Sequence, residues 1–433
     1  MKPAVSRLVT SLLTSRRRLR LQRGIRDLGR RLIGRPAEVD YFHQVDDPYS
    51  HLAAQMLPRL AERYRVIFRC WLVPPPEDSA APERERLNAY ALRDAPRLAA
   101  EYGLAFPGGG SRPDDDALGL AGRTLAAALI SRRFAGPAVQ VGAALWRADH
   151  AALLALALDA ASPQALAEAL AEGQARRKRL GHYLGAMFYF AGEWFWGVDR
   201  LNHLEERLAG LGLDKDPSKP PLAPFRDMQL GVVPSGGRSA EIEVWFSFRS
   251  PYSWIALPRV RRLARHYGAT LTLRYILPMV MRGLPVPRVK TLYITLDTKR
   301  EADRVGLPFG RIVDPVGAGA ERALAVLHHA VRLGRGEEFA ELGTRAAFAD
   351  GIALAEDAGL YDVARRAGLT DQQTAAALAD EGWRSAAEVN RQALFDAGLW
   401  GAPTYRVNGG PAYWGQDRLW ALEQDLIRAM SAI

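Results

Sequence analysis

Three short stretches in the second half of the chain hold residues able to manage a sulfur nucleophile. The first is Ser250-Pro251-Tyr252-Ser253, which follows the apolar run Ile242 to Phe246. Proline suits the first position of a helix, where its φ is already right and its missing N–H costs no bond. Ser250 then stands at the N-cap, where a hydroxyl satisfies an orphan amide. The same helix end carries partial positive charge and free N–H groups. A thiolate there is stabilised. Moving a thiol from a pKa of about 8.5 to about 6.5 raises its ionised fraction at neutral pH from roughly 3% to roughly 75%, for about 2.7 kcal/mol. The chain brings no thiol to this point, because its single cysteine is Cys70. The thiol must come from a cofactor, or Ser250 is a plain helix cap.

The second stretch is Gly401-Ala402-Pro403-Thr404, which reads as a strand start with a candidate cis bond before Pro403. Outside the sheet ladder, the N–H and C=O of Ala402 can pair with an extended peptide ligand as an added strand does. An ordinary edge-strand proline is the alternative. The third is Trp414-Gly415-Gln416-Asp417-Arg418 at the start of the last helix. Asp417 can cap that helix, or accept a hydrogen bond from a ligand ammonium while Gln416 grips an adjacent carboxylate.

The elements that must position these residues occur twice. Val39 to Asp46 followed by Asp47-Pro48-Tyr49-Ser50 parallels Ile242 to Arg249 followed by Ser250-Pro251-Tyr252-Ser253, at an offset of 203 that Tyr64 and Tyr267 keep. Trp196 to Leu201 parallels Trp414 to Leu419 at an offset of 218. Two matches in the same order argue for tandem domains. Each copy runs strand, helix, strand (66–73 and 271–277), helical stretch (281–398 in the second), strand, turn, helix. This is an α/β order, that of a thioredoxin-like fold with a helical insertion. The expected domains are a basic extension (1–36), a first thioredoxin-like domain (37–211), a Pro/Gly-rich linker (212–240) ending in Pro234-Ser235-Gly236-Gly237, and a second domain (241–433).

Ten arginines and Lys2 against Asp27 alone give residues 1–35 the whole formal excess of +10. The high pI belongs to this extension, and no nucleic-acid-binding face is implied for the folded domains. Leu12, Leu21, Ile25, Leu28 and Leu32 recur there at helical spacing. The extension reads as a solvated tail, as a helix making a peripheral contact with an anionic membrane, or as a transit-type segment. No apolar run of transmembrane or signal-peptide length is present. Cys70 reads as a packed strand residue, which suits a cytoplasmic location.

Together, Ser-Pro-Tyr-Ser, Gly-Ala-Pro-Thr and Trp-Gly-Gln-Asp-Arg resemble the 2-hydroxychromene-2-carboxylate isomerase family, relatives of kappa-class glutathione transferases and of DsbA. Pro287 to Tyr293 with Asp297, Gly306-Leu307-Pro308-Phe309 and Asp350 belong to the same pattern, which covers about 241–430. The resemblance implies a DsbA-like thioredoxin fold and glutathione as cofactor. Ser250 would orient the glutathione sulfur, Ala402 before a cis Pro403 would pair with its cysteinyl backbone, and Gln416 and Asp417 would hold its γ-glutamyl end. Lys290 would meet a carboxylate of glutathione or substrate. The implied activity is isomerase or transferase chemistry on a small electrophilic, conjugated acid, with monomer and homodimer both open. One departure stands out. The loop Met281 to Pro287 lacks the asparagine that family members often carry there.

The first copy has Asp47 in place of Ser250, Met187 in place of the proline and Val198 in place of Gln416. At about 4 Å a carboxylate would repel a thiolate by about 4 kcal/mol at an effective dielectric of 20. The first domain is thus expected to be a degenerate copy, with His43, Asp47 and His51 structural rather than metal-binding. A non-catalytic scaffold is the alternative for the whole chain. Disulfide exchange is disfavoured because it needs two thiols.

Overall fold

The computed structural model describes residues 3–108, 110–234 and 238–431. Lys2 of the basic extension and the Ser235-Gly236-Gly237 breaker lie outside the described residues. The extension forms two helices, α1 (Pro3–Leu13) and α2 (Arg16–Leu32), where the sequence left a solvated tail open. The chain divides into two units, residues 21–225 and residues 226–433 together with 1–20.

In the unit of residues 21–225, β1 (Glu38–His43), α3 (Pro48–Arg63) and β2 (Ile67–Leu72) form a parallel strand–helix–strand. Five helices follow: α4 (Arg84–Glu101), α5 (Asp115–Ile130), α6 (Ala135–Trp146), α7 (His150–Leu156) and α8 (Pro163–Leu180). The antiparallel β3 (Met187–Phe190) and β4 (Glu193–Trp196) then lead to α9 (Leu201–Ala209), giving a sheet ordered β2-β1-β3-β4. Val39, Tyr41 and Phe42 of β1 are fully buried, because helices cover both faces of this central strand.

The other unit repeats the order. β5 (Glu241–Phe246), α10 (Pro251–Tyr267) and β6 (Thr270–Tyr275) are followed by α11 (Arg288–Arg304), α12 (Ala318–Arg332), α13 (Gly336–Arg345), α14 (Asp357–Arg366), α15 (Asp371–Ala379) and α16 (Gly382–Asp396). The two-strand ribbon β7 (Thr404–Val407) and β8 (Tyr413–Trp414) and the helix α17 (Leu419–Ser431) close a sheet ordered β6-β5-β7-β8. The helical stretch anticipated over 281–398 is thus made of α11 to α16, with a π-turn at Ala346–Asp350 following α13.

Matched positions in the two halves make matched bonds. The Gln44 N–H donates to the Ser50 hydroxyl, and the Ser247 N–H to the Ser253 hydroxyl. Tyr64 donates to Glu205 and Tyr267 to Glu423, each at 2.9 Å. Both glutamates also accept two successive backbone N–H groups, from Leu222 and Ala223 and from Gln229 and Leu230. The central strands each bury one acid at the same place. Asp40 is held by Arg176 at 2.7 Å, and Glu243 by Arg274 and Arg406. A buried charge survives only with such partners. Desolvation opposes the Glu243 carboxylate, but the two arginines prevail and lower its pKa. Cys70 lies on β2 as expected, though only half-buried. Among the described residues no helix is long and apolar enough to cross a membrane.

Candidate functional site

β5 ends at Phe246, and the chain turns through Ser247–Ser250 into α10. Pro251 occupies its first turn, and Ser250 is its N-cap, with extended backbone at φ −94° and ψ 110°. The Ser250 hydroxyl accepts the Ser253 N–H at 3.2 Å and donates to the Ala402 carbonyl at 3.0 Å. The Ala402–Pro403 peptide is cis. Pro403 precedes β7, so sheet pairing stops at Thr404 opposite Trp245. The Ala402 N–H donates to no group among the described residues. Ser250 and Ala402 are both partly exposed. A helix N-terminus, a hydroxyl and an unpaired backbone donor therefore face one place.

The remaining predicted residues lie on two elements that hydrogen bonds tie to this place, the turn after β8 and α11. The Gly415 N–H donates to the Pro403 carbonyl at 3.0 Å and opens the short 3₁₀ turn Gln416–Arg418. Asp417 stands in that turn with a partly exposed side chain, 3.5 Å from Arg418. The N-cap position of the turn is Gly415, which has no side chain to cap it. Gln416 is 1% exposed, and both ends of its amide are engaged. Its Oε1 accepts from Arg259 at 2.7 Å, and its Nε2 donates to Glu301 at 2.6 Å. Gln416 thus braces the turn from beneath, rather than presenting a free amide.

The second element is α11. Lys290 lies in its first turn, and Asp297 and Glu301 follow seven and eleven positions later, on the same face of a 3.6-residue helix. Tyr252, two residues past Ser250, donates to Asp297 at 2.7 Å, and Arg300 holds the other oxygen of that carboxylate at 3.0 Å. Burial pulls the Lys290 ammonium down to about 8. It is still mostly protonated at neutral pH, as a carboxylate partner requires. The loop that lacks the asparagine is tied to the site differently. Arg282 donates to the Trp400 carbonyl at 3.1 Å, and Trp400 packs on Trp414 with ring centroids 5.1 Å apart. Gly401 is squeezed beside Trp414, where a Cβ would lie 2.6 Å from the indole nitrogen.

Other stretches of the pattern serve packing. The Pro308 carbonyl accepts from the Trp254 indole at 2.9 Å, Phe309 stacks on Phe348, and Asp350 pairs with Arg345. Sequence reading missed Arg259, Tyr252 and Glu301. The signal available for Arg259 was a charged residue inside the apolar run Trp254 to Val260.

The equivalent turn of the first half is built otherwise. Asp47 caps α3 by accepting the Tyr49 and Ser50 N–H groups at 3.1 Å each and the Ser50 hydroxyl at 2.8 Å. Burial nevertheless pushes its carboxyl up to about 7, against those donors. It borders a cavity of about 280 Å³ that Gln44, Tyr49, Arg84 and Arg112 also line. Where Ala402 precedes a cis proline, Ala186 precedes Met187, and its N–H is taken by Ser50 at 2.9 Å. Burial holds His43 down to about 3 and His51 down to about 4, so both are neutral near pH 7. No cluster of three metal-ligating side chains exists among the described residues.

Residues 241–427 match the DsbA-like thioredoxin domain family. Over 197 residues the chain is 25% identical to the 2-hydroxychromene-2-carboxylate isomerase of Pseudomonas putida, covering 43% of this chain and 94% of that protein. Among solved structures, a 2-hydroxychromene-2-carboxylate isomerase is 23% identical, covers 43% of this chain and 95% of its own, and gives a TM-score of 0.37. The cytosolic disulfide reductase DsbM from Pseudomonas aeruginosa with GSH is 18% identical, covers 43% and 96%, and gives 0.33.

Proposed function

We propose, from the premise that the C-terminal half is a DsbA-like thioredoxin domain, that this half binds glutathione and uses its thiolate on a conjugated, aromatic-derived carboxylic acid, as an isomerase or transferase. The observation that carries this reading is the Ser250 hydroxyl at the α10 N-terminus, 3.0 Å from the carbonyl that precedes cis Pro403. The similarity to a curated isomerase over the same residues supports it. The same half with two thiols would suggest disulfide exchange, but the chain has Cys70 alone, on β2 of the other half.

In this reading the cysteinyl backbone of glutathione pairs with Ala402. The Ser250 hydroxyl turns from the Ala402 carbonyl to the sulfur, while the α10 N-terminus favours the anion. The thiolate adds to an unsaturated carbon conjugated with the substrate carbonyl, and the displaced electron pair moves to that oxygen. The former double bond rotates as a single bond. Return of the electron pair expels the thiolate and leaves the isomer, with no net proton uptake. In the transferase variant a proton quenches the carbanion and the C–S bond persists. Lys290 pairs with a carboxylate, Asp417 receives the γ-glutamyl ammonium, and Gln416 acts as a positioning residue through Arg259 and Glu301. Holding both reactants in register supplies much of the rate.

We read the two halves as tandem copies, residues 37–211 being the degenerate one. A second reading, a non-catalytic binding protein, draws on the fact that both bonds of the Ser250 hydroxyl are intramolecular. Calorimetric titration with glutathione separates the two. Saturable heat with a thermal upshift is expected for the enzyme, and no heat with no upshift for the scaffold.

A further inference from the structure

The two N-terminal helices dock by their polar faces and leave their apolar faces in solvent, the reverse of an ordinary surface helix. Ser6 and Thr10 of α1, with Thr14 just past its end, form a hydroxyl ladder that faces the protein. Ser6 donates to the Ile312 carbonyl, the Ile312 N–H donates to Thr10, both at 2.9 Å, and Thr14 abuts Gly310. Its apolar residues Val5, Leu8, Val9 and Leu12 are 47–63% exposed. In α2 Arg23 and Asp27 dock as a pair, Arg23 bidentate to Glu193 at 2.8 and 2.6 Å and Asp27 accepting from Arg207 at 2.6 Å, while Arg26 beside them donates to the Ala191 carbonyl. Leu21, Ile25, Leu28 and Leu32 are 58–76% exposed. At about 100° per residue these four fall within an arc of about 60°, opposite the docked pair. No residue of α2 is buried.

Charge decides what covers the α2 stripe. Arg17 and Arg18 flank it on either side, and Arg31 lies just beyond. Arg17, Arg20, Arg31 and Arg35 are exposed and carry no ion pair among the described residues. A second copy would bring the same dense cationic segment against itself. Apolar side chains centred between arginines match the acyl–headgroup boundary of an anionic bilayer, where the stripe enters the hydrocarbon edge and the guanidinium groups meet lipid phosphates. We propose that α2 is a docking surface for an anionic lipid bilayer, on which the protein rests without crossing it.

The test is co-sedimentation of the full chain with vesicles of phosphatidylcholine alone and of phosphatidylcholine mixed with phosphatidylglycerol. Binding to the anionic vesicles should exceed that to the neutral ones by about tenfold or more and weaken at high salt. The double variant Ile25→Ser with Leu28→Ser should lose about tenfold of that binding, with an unchanged melting temperature because both side chains are exposed. Equal binding by wild type and double variant overturns the proposal, since arginines alone would then suffice. Wild type left in the supernatant with both vesicle types overturns it too. So does a dimer in light scattering that the double variant dissociates, which would make the stripe a self-association face.

Discussion

Replacing Ser250 by alanine removes one side-chain oxygen with two bonds. Losing the cap to the Ser253 N–H costs about 1 kcal/mol. The Ala402 carbonyl loses a donor but is partly exposed, so water replaces much of that bond. The sum is about 1–2 kcal/mol, a fall of roughly 2–8 °C in melting temperature for a domain of this size, which leaves the fold intact. The chemistry suffers more. A hydrogen bond to a charged group contributes about 1.5–3 kcal/mol, equivalent to about 1–2 pKa units on a bound thiol. If bound glutathione ionises near 6.5, the variant shifts it to about 7.5–8.5, and the thiolate fraction at neutral pH falls from roughly 75% to roughly 3–25%. Turnover then drops about 3- to 25-fold from ionisation alone, with lost orientation adding to it. The assay is the ultraviolet absorbance of the thiolate as a function of pH for glutathione bound to each protein, alongside turnover. A bound-thiol pKa that is the same in wild type and Ser250→Ala would refute the reasoning, whatever happened to the rate.

Three further outcomes follow from the same geometry. Lys290 loses its charge as pH rises through about 8, so kcat/KM should fall on that limb. Lys290→Arg, which stays charged, should push the limb upward, and an unmoved limb would detach Lys290 from substrate binding. Asp47 has its folded pKa raised to about 7. Its contribution to stability is fully present below about 4, its ordinary unfolded value, and is lost as pH rises to about 7. The ionised side chain then costs up to about 4 kcal/mol. Asp47→Asn keeps a cap acceptor and should raise urea stability at pH about 8 but little below pH about 4; a loss at the higher pH would show that the capping bonds outweigh burial. Gln416→Leu strips partners from buried Arg259 and Glu301 and should destabilise by about 2–4 kcal/mol in urea unfolding. A change under about 0.5 kcal/mol would mean that the brace is not structural.

Ser250 and Ala402 were legible because local rules expose them. Proline at N1 announces a helix start, the residue before it a cap, and a proline ahead of an apolar run a strand start. The offsets of 203 and 218 marked positions in the two halves that match in sequence, and the Tyr64–Glu205 and Tyr267–Glu423 bonds occupy such positions. What escaped is what only tertiary structure brings together. Gln416 meets Arg259 across 157 positions and Glu301 across 115, and no periodicity links them. The expectation of a ligand-gripping Gln416 came from pattern, whereas burial engages both ends of its amide. The amphipathic character of the first helices was visible, but not which face would dock. An inverted arrangement depends on acceptors supplied by Glu193 and Ile312, far along the chain.

The most direct test is a crystal structure of the protein soaked with glutathione. The predicted result is a sulfur within hydrogen-bond range of Ser250 Oγ, with the cysteinyl backbone paired to Ala402. A tripeptide bound elsewhere, or with its sulfur turned away from the start of α10, would contradict the account.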